Sequence, residues 1–424
     1  MFLLKHKRIK PAKVFLPPAL KPSSKPPKSI LCSFRLFMRI SHIVGMLPQE
    51  NFSKSPEDLK FKWLSWRAIY SLLIISALLL AVTCCFMHWV LHGSSISGVA
   101  TAVFYGGSLI TVLLFFYLAL SWSKLLKSWH AIDRTMAATY GYPEKLDKQI
   151  RVLTAVFLTL AIVDYLLSVA NKYEHLNYAS GYQLTTFAYF NDTFPQLFAY
   201  IPFSIGTGIF CTAITVHSNI TWALNDLFII IASSALAMRF RQISQKLIKE
   251  RDDFKLFQHA QLSFWRQIRE DYDRLTRFCK ELDCYISVIV LLSYFMNIFF
   301  LLIQLYRSLE FISLPIRKVY LIFSFGYLIF KTTMVSLYAA WINDESKAFT
   351  HILNSVDSTL YNTEIRRLLT QISFDKTALT GCKMFAVKRG TILSVSRQTS
   401  TGRCRSLTSC ICRWPVRLLR MSWS

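Results

Sequence analysis

Carboxylates, amides and one ammonium interrupt otherwise apolar stretches of this chain at Asp164, Asn219, Asn225, Asp226, Asn297, Gln304 and Lys331. In hydrocarbon such groups are costly unless they are paired or face a watery cavity, so each is a candidate for function. Asn219, Trp222 and Asp226 are spaced i, i+3, i+7 and form one stripe of a helix with Asn225 at its edge, and Asn297 and Gln304 are likewise seven apart. A pocket lined by carboxylates, amides and aromatic rings suits a polyol: paired acceptors take vicinal hydroxyls, and ring faces take the C–H faces of a sugar. The candidate ligand-binding set is therefore Asp164, Trp222, Asn225, Asp226, Asn297 and Gln304. The plainer reading gives these residues interhelical hydrogen bonds worth about 1 kcal/mol, makes Trp222 an interfacial anchor, and pairs Lys331 with an acid or a backbone carbonyl.

Other chemistry is missing from the sequence. It contains no Walker sequence, no glycine-rich dinucleotide turn, no His-Glu-x-x-His and no Gly-x-Ser-x-Gly. The grouping of Cys404, Cys410 and Cys412 matches no common zinc spacing and has no histidine partner after it. The chain does not read as an enzyme, and neither a metal nor a cofactor is expected.

The elements that must position the polar residues follow from hydropathy. The chain has 424 residues, 53% of them hydrophobic, 15% aromatic and only 17% charged, against about 25% charged in a water-soluble domain. Six apolar segments, at about 68–90, 99–120, 152–170, 200–238, 285–306 and 319–341, each supply the ~20 residues that a helix needs to cross ~30 Å of hydrocarbon. The fold class is all-α, a polytopic helical bundle in membrane lipid. Residues 1–66 form a basic N-terminal region whose first thirty residues, rich in Lys and Pro, read as disordered; 67–341 hold the spans; 342–390 and a basic tail, 391–424, follow.

The net charge of +25 would suggest a nucleic-acid partner if it covered one folded face. Instead it sits in the termini and in loops on one side, so no nucleic acid is expected. Loops 121–151 and 239–284 carry six and eleven Lys or Arg, whereas 91–98 carries none and 171–196 only Lys172. The positive-inside rule then places the N-terminus in the cytosol and makes 197–238 a single crossing. All ten cysteines fall in spans or on the cytosolic side, and Asn191-Asp192-Thr193 places a glycosylation acceptor in the longest outer loop.

Several stretches carry a family resemblance. Ser55–Ser71 entering the first span, Trp222-Ala-Leu-Asn-Asp-Leu-Phe228, Arg239-Phe-Arg-Gln-Ile243, Ile342-Asn-Asp-Glu-Ser-Lys347, Thr380-Gly381 and Lys388-Arg389-Gly390 together resemble the sugar-receptor clade of insect gustatory receptors over about residues 40–395. The resemblance implies a seven-helix subunit of the gustatory and odorant receptor channel type at the plasma membrane. It also implies assembly as a homo- or hetero-tetramer with related receptors, and cation flow along a seventh helix when a sugar fills an outward-facing pocket. This chain departs from the family after Val395, where Ser, Arg and Cys replace the apolar run, so the seventh helix is missing or scrambled. A shifted reading frame or retained intron near Val395 accounts for that change, and a truncated isoform is its rival. Family members often place His after the acid of the third span where this chain has Tyr165.

The function expected is a ligand-gated cation channel subunit responding to sugar. The alternatives are a non-conducting or truncated partner subunit and a G-protein-coupled chemoreceptor. Orientation separates the last of these: an epitope placed in 239–284 is expected to bind antibody only after permeabilisation, and labelling of intact cells would reverse the topology.

Overall fold

The structure, a computed structural model, describes residues 30–50, 61–93, 95–143, 146–181, 183–252, 262–309, 315–358 and 361–389. The basic leader before residue 30 and the tail from residue 390 lie outside them. In chain order the helices are α1 (Ile30–Ile43), α2 (Trp66–His92), α3 (Ile96–Tyr140), α4 (Leu146–Ala179), α5 (Thr186–Thr193), α6 (Pro195–Phe198), α7 (Ile205–Asp252), α8 (Leu262–Ser308), α9 (Pro315–Lys347), α10 (Thr350–Asn354) and α11 (Thr363–Phe374). Two short antiparallel strands, β1 (Thr380–Gly381) and β2 (Phe385–Ala386), follow, with Thr380 opposite Ala386.

Six of these helices, α2, α3, α4, α7, α8 and α9, are long and apolar enough to cross a membrane. Helices α3, α7 and α8 have 45, 48 and 47 residues, so at 1.5 Å per residue they run about 68 to 72 Å, over twice the hydrocarbon thickness. All three project beyond the apolar zone at the same end of the bundle, where their polar halves pack together. Local chemistry sets the helix starts: Ser65 and Ser95 accept from the backbone N–H groups of Ala68 and Gly98 at 3.1 and 3.0 Å. Gly93 and Gly141, with φ of 77° and 73°, turn the chain out of α2 and α3 in the left-handed region open to glycine.

Helix α7 is the central post. Its most apolar window is 89% buried inside the protein, against 22–44% for the other five candidate spans, which leave most of theirs on the outside of the bundle. It runs as one unbroken helix through the stretch whose length alone admits two crossings. Helix α1 plugs the core beside it: Phe34 packs against Trp122 and Trp129 of α3, Phe37 against Phe228 of α7, and both are fully buried. The reading of 1–66 as a basic N-terminal region names no helix at 30–43, and this one is an addition to it.

At the projecting end, Arg239 fastens α7 to the α3–α4 turn. Its guanidinium donates to Asp133, to the Gly141 carbonyl at 2.9 Å and to Gln242 Oε1 at 2.6 Å, and lies 5.8 Å over the Tyr142 ring. Gln242 in turn donates to the carbonyls of Tyr140 and Gly141 at 3.3 Å. Arg239 and Asp133 are only 2% and 3% exposed, so neither charge has water to fall back on. Breaking such a pair from one side costs about 3–5 kcal/mol. Arg239→Ala and Asp133→Ala are each expected to lower the melting temperature and monodisperse yield in detergent, and the double change to cost less than the sum. Additive losses would show the two groups to be uncoupled.

Candidate functional site

The polar residues of α7, α8 and α9 lie on matched faces. Ser293, Asn297 and Gln304 fall at i, i+4 and i+11 on α8, and Tyr320, Ser324, Tyr327 and Lys331 at i, i+4, i+7 and i+11 on α9. Each set lies along one helical face and spans 11 residues, about 16 Å of axial rise. The two sets meet as a polar column between the helices, with one node in the middle of the bundle and another toward the short-loop end.

The middle node is centred on Asp226, which is fully buried. Its carboxylate accepts from Ser293 Oγ and from Asn297 Nδ2 at 3.1 Å, and lies 3.2 Å from Lys331 Nζ. Trp222, one turn earlier on α7, donates its indole N–H to Asn297 Oδ1 at 3.1 Å and offers its ring face to Lys331 Nζ at 3.7 Å. The ammonium thus has an anion on one side and a π-face on another, and the amide of Asn297 bridges Trp222 and Asp226. Every polar atom of the carboxylate is engaged within the protein. This node cross-braces three helices.

The second node is incomplete. Gln304 Nε2 donates to Ser324 Oγ at 2.9 Å and approaches Tyr320 Oη at 3.4 Å. Asp164 of α4 faces Ser324 and Lys331, and the Tyr327 hydroxyl faces both Asp164 and Asp226. Yet Asp164 Oδ1, Gln304 Oε1 and Tyr327 Oη are all buried without a hydrogen-bond partner in the protein. Each such orphan costs about 1–3 kcal/mol unless a ligand or water satisfies it. Tyr320, at the end of the column, is half-buried.

The six residues singled out in the sequence therefore divide. Trp222, Asp226 and Asn297 come together in the satisfied node, and Asp164 and Gln304 flank the incomplete one. Asn225 joins neither of the hydrogen-bonded groups: it is buried, its Oδ1 has no partner, and it lies with Thr221 and Ser218, whose hydroxyls are equally orphaned, near the α3 seam where Ser108 reaches the Ser218 carbonyl at 3.5 Å. Asn219 donates to the Ala161 carbonyl of α4 at 3.0 Å. Lys331 pairs with an acid. Sequence reading missed Ser293, Ser324 and Tyr327, whose only signal is their register with Asn297 and Lys331. Asn191 is exposed in α5, beside an ion pair of Asp192 with Lys172 at 2.5 Å.

From the middle node, α9 leads to the projecting end. Asn343 donates to the Thr377 carbonyl at 3.2 Å, Asp344 pairs with Arg389 at 2.7 Å, and Asp283 of α8 accepts from the Thr380 N–H and hydroxyl at 2.6 and 2.8 Å. A charged cleft of about 480 Å³ between α8 and α11, lined by Arg277, Lys280, Arg366 and Asp375 among others, lies at this end and shares no residue with either node. Among the described residues no three His, Cys, Asp or Glu side chains gather as a metal site.

Comparison with known proteins gives this geometry its context. The sequence profile of the trehalose receptor family matches residues 28–401. The Drosophila melanogaster gustatory receptor for sugar taste 64f is 28% identical over 365 residues, 84% of this chain and 76% of that one. The gustatory receptor 5a for trehalose of the same fly is 24% identical over 348 residues, 81% and 76% of the two chains. The insect olfactory receptor OR5 from Machilis hrabei superposes with a TM-score of 0.63 at 11% identity, covering 88% of this chain and 97% of its own. The same receptor in complex with eugenol gives 0.56 at 14% identity, covering 92% and 99%. The protein is thus an all-α, multi-pass membrane protein and a receptor rather than an enzyme, and the chain belongs to the trehalose receptor family, the sugar clade of the insect gustatory receptors.

Proposed function

We propose that this chain is a subunit of a sugar-gated cation channel, with the sugar held between α4, α8 and α9 at the incomplete node. The observation that carries the reading is the trio of orphaned polar groups on Asp164, Gln304 and Tyr327. A carboxylate oxygen, an amide oxygen and a phenol are the acceptors and donor that vicinal hydroxyls of a saccharide complement. The names of the fly relatives, for sugar taste and for trehalose, point to the same ligand class. Trp222, Asp226 and Asn297 form the floor beneath the ligand, and Asn225, turned to the α3 seam, stands apart from it.

In this reading the N-terminus is cytosolic, Asn191 is glycosylated outside the plasma membrane, and the subunit joins relatives of its family in a tetramer. Sugar filling the node draws α4 and α9 together. The displacement passes down α9 to Asp344 and so to Arg389, the last described residue before the segment where the family's seventh helix is expected. A second reading, that the chain is a non-conducting partner subunit, draws on the Arg-, Ser- and Cys-rich composition of 391–424, which offers no apolar run to line a pore.

Tyr327→Phe and Gln304→Leu each remove one polar contact and little volume. In cells expressing the chain with a relative of its family, each is expected to raise the half-maximal sugar concentration about tenfold at unchanged surface level. Asp226→Ala is expected to abolish surface expression itself, because it leaves Lys331 buried without its anion. Unaltered dose–response curves for both Tyr327→Phe and Gln304→Leu would remove the node from sugar recognition. Suppression of the relative's current by the wild-type chain would favour the partner-subunit reading.

A further inference from the structure

The last turn of α2 carries two histidines that neither node uses. His88 and His92 are four residues apart and their rings stack with centroids 4.4 Å apart and planes inclined by 20°. His92 is exposed and His88 half-buried, and His88 Nδ1 is a buried nitrogen with no hydrogen-bond partner. The stretch 91–98 has no charged residue, so the chain that follows the pair supplies no carboxylate of the kind that suits calcium or magnesium. Gly93, at φ 77°, turns the chain away directly after His92.

We propose that His88 and His92 form a two-nitrogen binding site for a borderline divalent cation, Zn²⁺ or Cu²⁺. Neutral imidazole is the common nitrogen ligand for both ions, and the i, i+4 spacing places two such rings on one helical face. Metal–nitrogen bonds of about 2.0–2.1 Å need the two ligating nitrogens near 3 Å from each other, so binding requires the stacked rings to rotate about their side-chain torsions. The position also favours a cation. It is the C-terminal turn of a 27-residue helix, where the macrodipole is negative and the last carbonyls lack intrahelical partners.

The site is open. Cys84 lies on the same face one further turn down, but it is buried and sits eight residues, about 12 Å, from His92, too far to share one coordination sphere. Two protein ligands leave the remaining positions to water, so the metal exchanges with solution. Such a site modulates the chain and does not hold the fold together.

The test uses the purified full chain in detergent, titrated with Cu²⁺ alone and followed by electron paramagnetic resonance. One bound ion with nitrogen hyperfine structure from two imidazoles is expected. His88→Ala and His92→Ala should each weaken it by at least the ~10–100-fold that follows loss of a mere outer-shell partner. His175→Ala, on α4, should leave it unchanged, and Zn²⁺ should displace the copper signal. Monodisperse elution of each variant guards against misfolding. Protection of His92 from imidazole-modifying reagent by Zn²⁺ in the wild-type chain provides a readout without mutation. Equal copper affinity and spectra in the His88→Ala/His92→Ala chain, or a wild-type signal lacking two-nitrogen structure, would overturn the site.

Discussion

An ammonium and a carboxylate in the middle of a lipid-embedded bundle constrain everything around them. Neither Lys331 nor Asp226 can reach water, and each is intolerable there without the other. Their pairing fixes the rotation of α9 against α7, and Asn297 and Ser293 fix α8 to the same point. The Trp222 indole then has one place left to go, its edge on Asn297 and its face on the ammonium. Once the three helices are pinned in rotation and height, Ser324 and Tyr327 of α9 stand opposite Gln304 of α8 and Asp164 of α4. The incomplete node is a consequence of the complete one.

Much of this was legible in the sequence because lipid is an unforgiving solvent. It demands about twenty apolar residues per span and leaves each exception conspicuous, so six spans and Asp164, Asp226, Asn297, Gln304 and Lys331 stood out by type alone. What the sequence hid had weaker physical signatures. Helix α1 has its buried residues at Phe34, Phe37, Met38 and Ser41, an i, i+3, i+4, i+7 face in a short helix too brief to read as a span and set directly after a Lys- and Pro-rich leader. Serine and tyrosine inside apolar helices, such as Ser293, Ser324 and Tyr327, are ordinary and draw no attention until a partner helix is set opposite. The division of five candidates between two nodes, with Asn225 in neither, depends on three helix rotations at once, which no single stretch encodes. Asn225 shows this most sharply, since one residue's step of about 100° separates it from Asp226 and turns it toward another seam.

The short motifs that carry the family likeness acquire physical roles. Arg239 and Gln242 hold the carbonyls of the α3–α4 turn, Asn343 and Asp344 hold the segment after α11, and Thr380 seats on Asp283. These are contacts between elements far apart in sequence, made by groups that have no other use at the polar end of long helices. Each is a few hydrogen bonds and individually ordinary. Together they set the heights of α7, α8 and α9 relative to the strands that follow, which is why the likeness is specific as an ensemble.

The unbroken run of α7 past its buried carboxylate has a mechanical corollary. From Asp226 to its end at Asp252 the helix extends 26 residues, a rigid arm of about 39 Å. With the ion pair as fulcrum, each degree of rocking at that point sweeps the far tip through roughly 0.7 Å by the same rise per residue. Displacements too small to disturb the packing of the bundle core are thereby magnified into shifts of bond-length size at the projecting end.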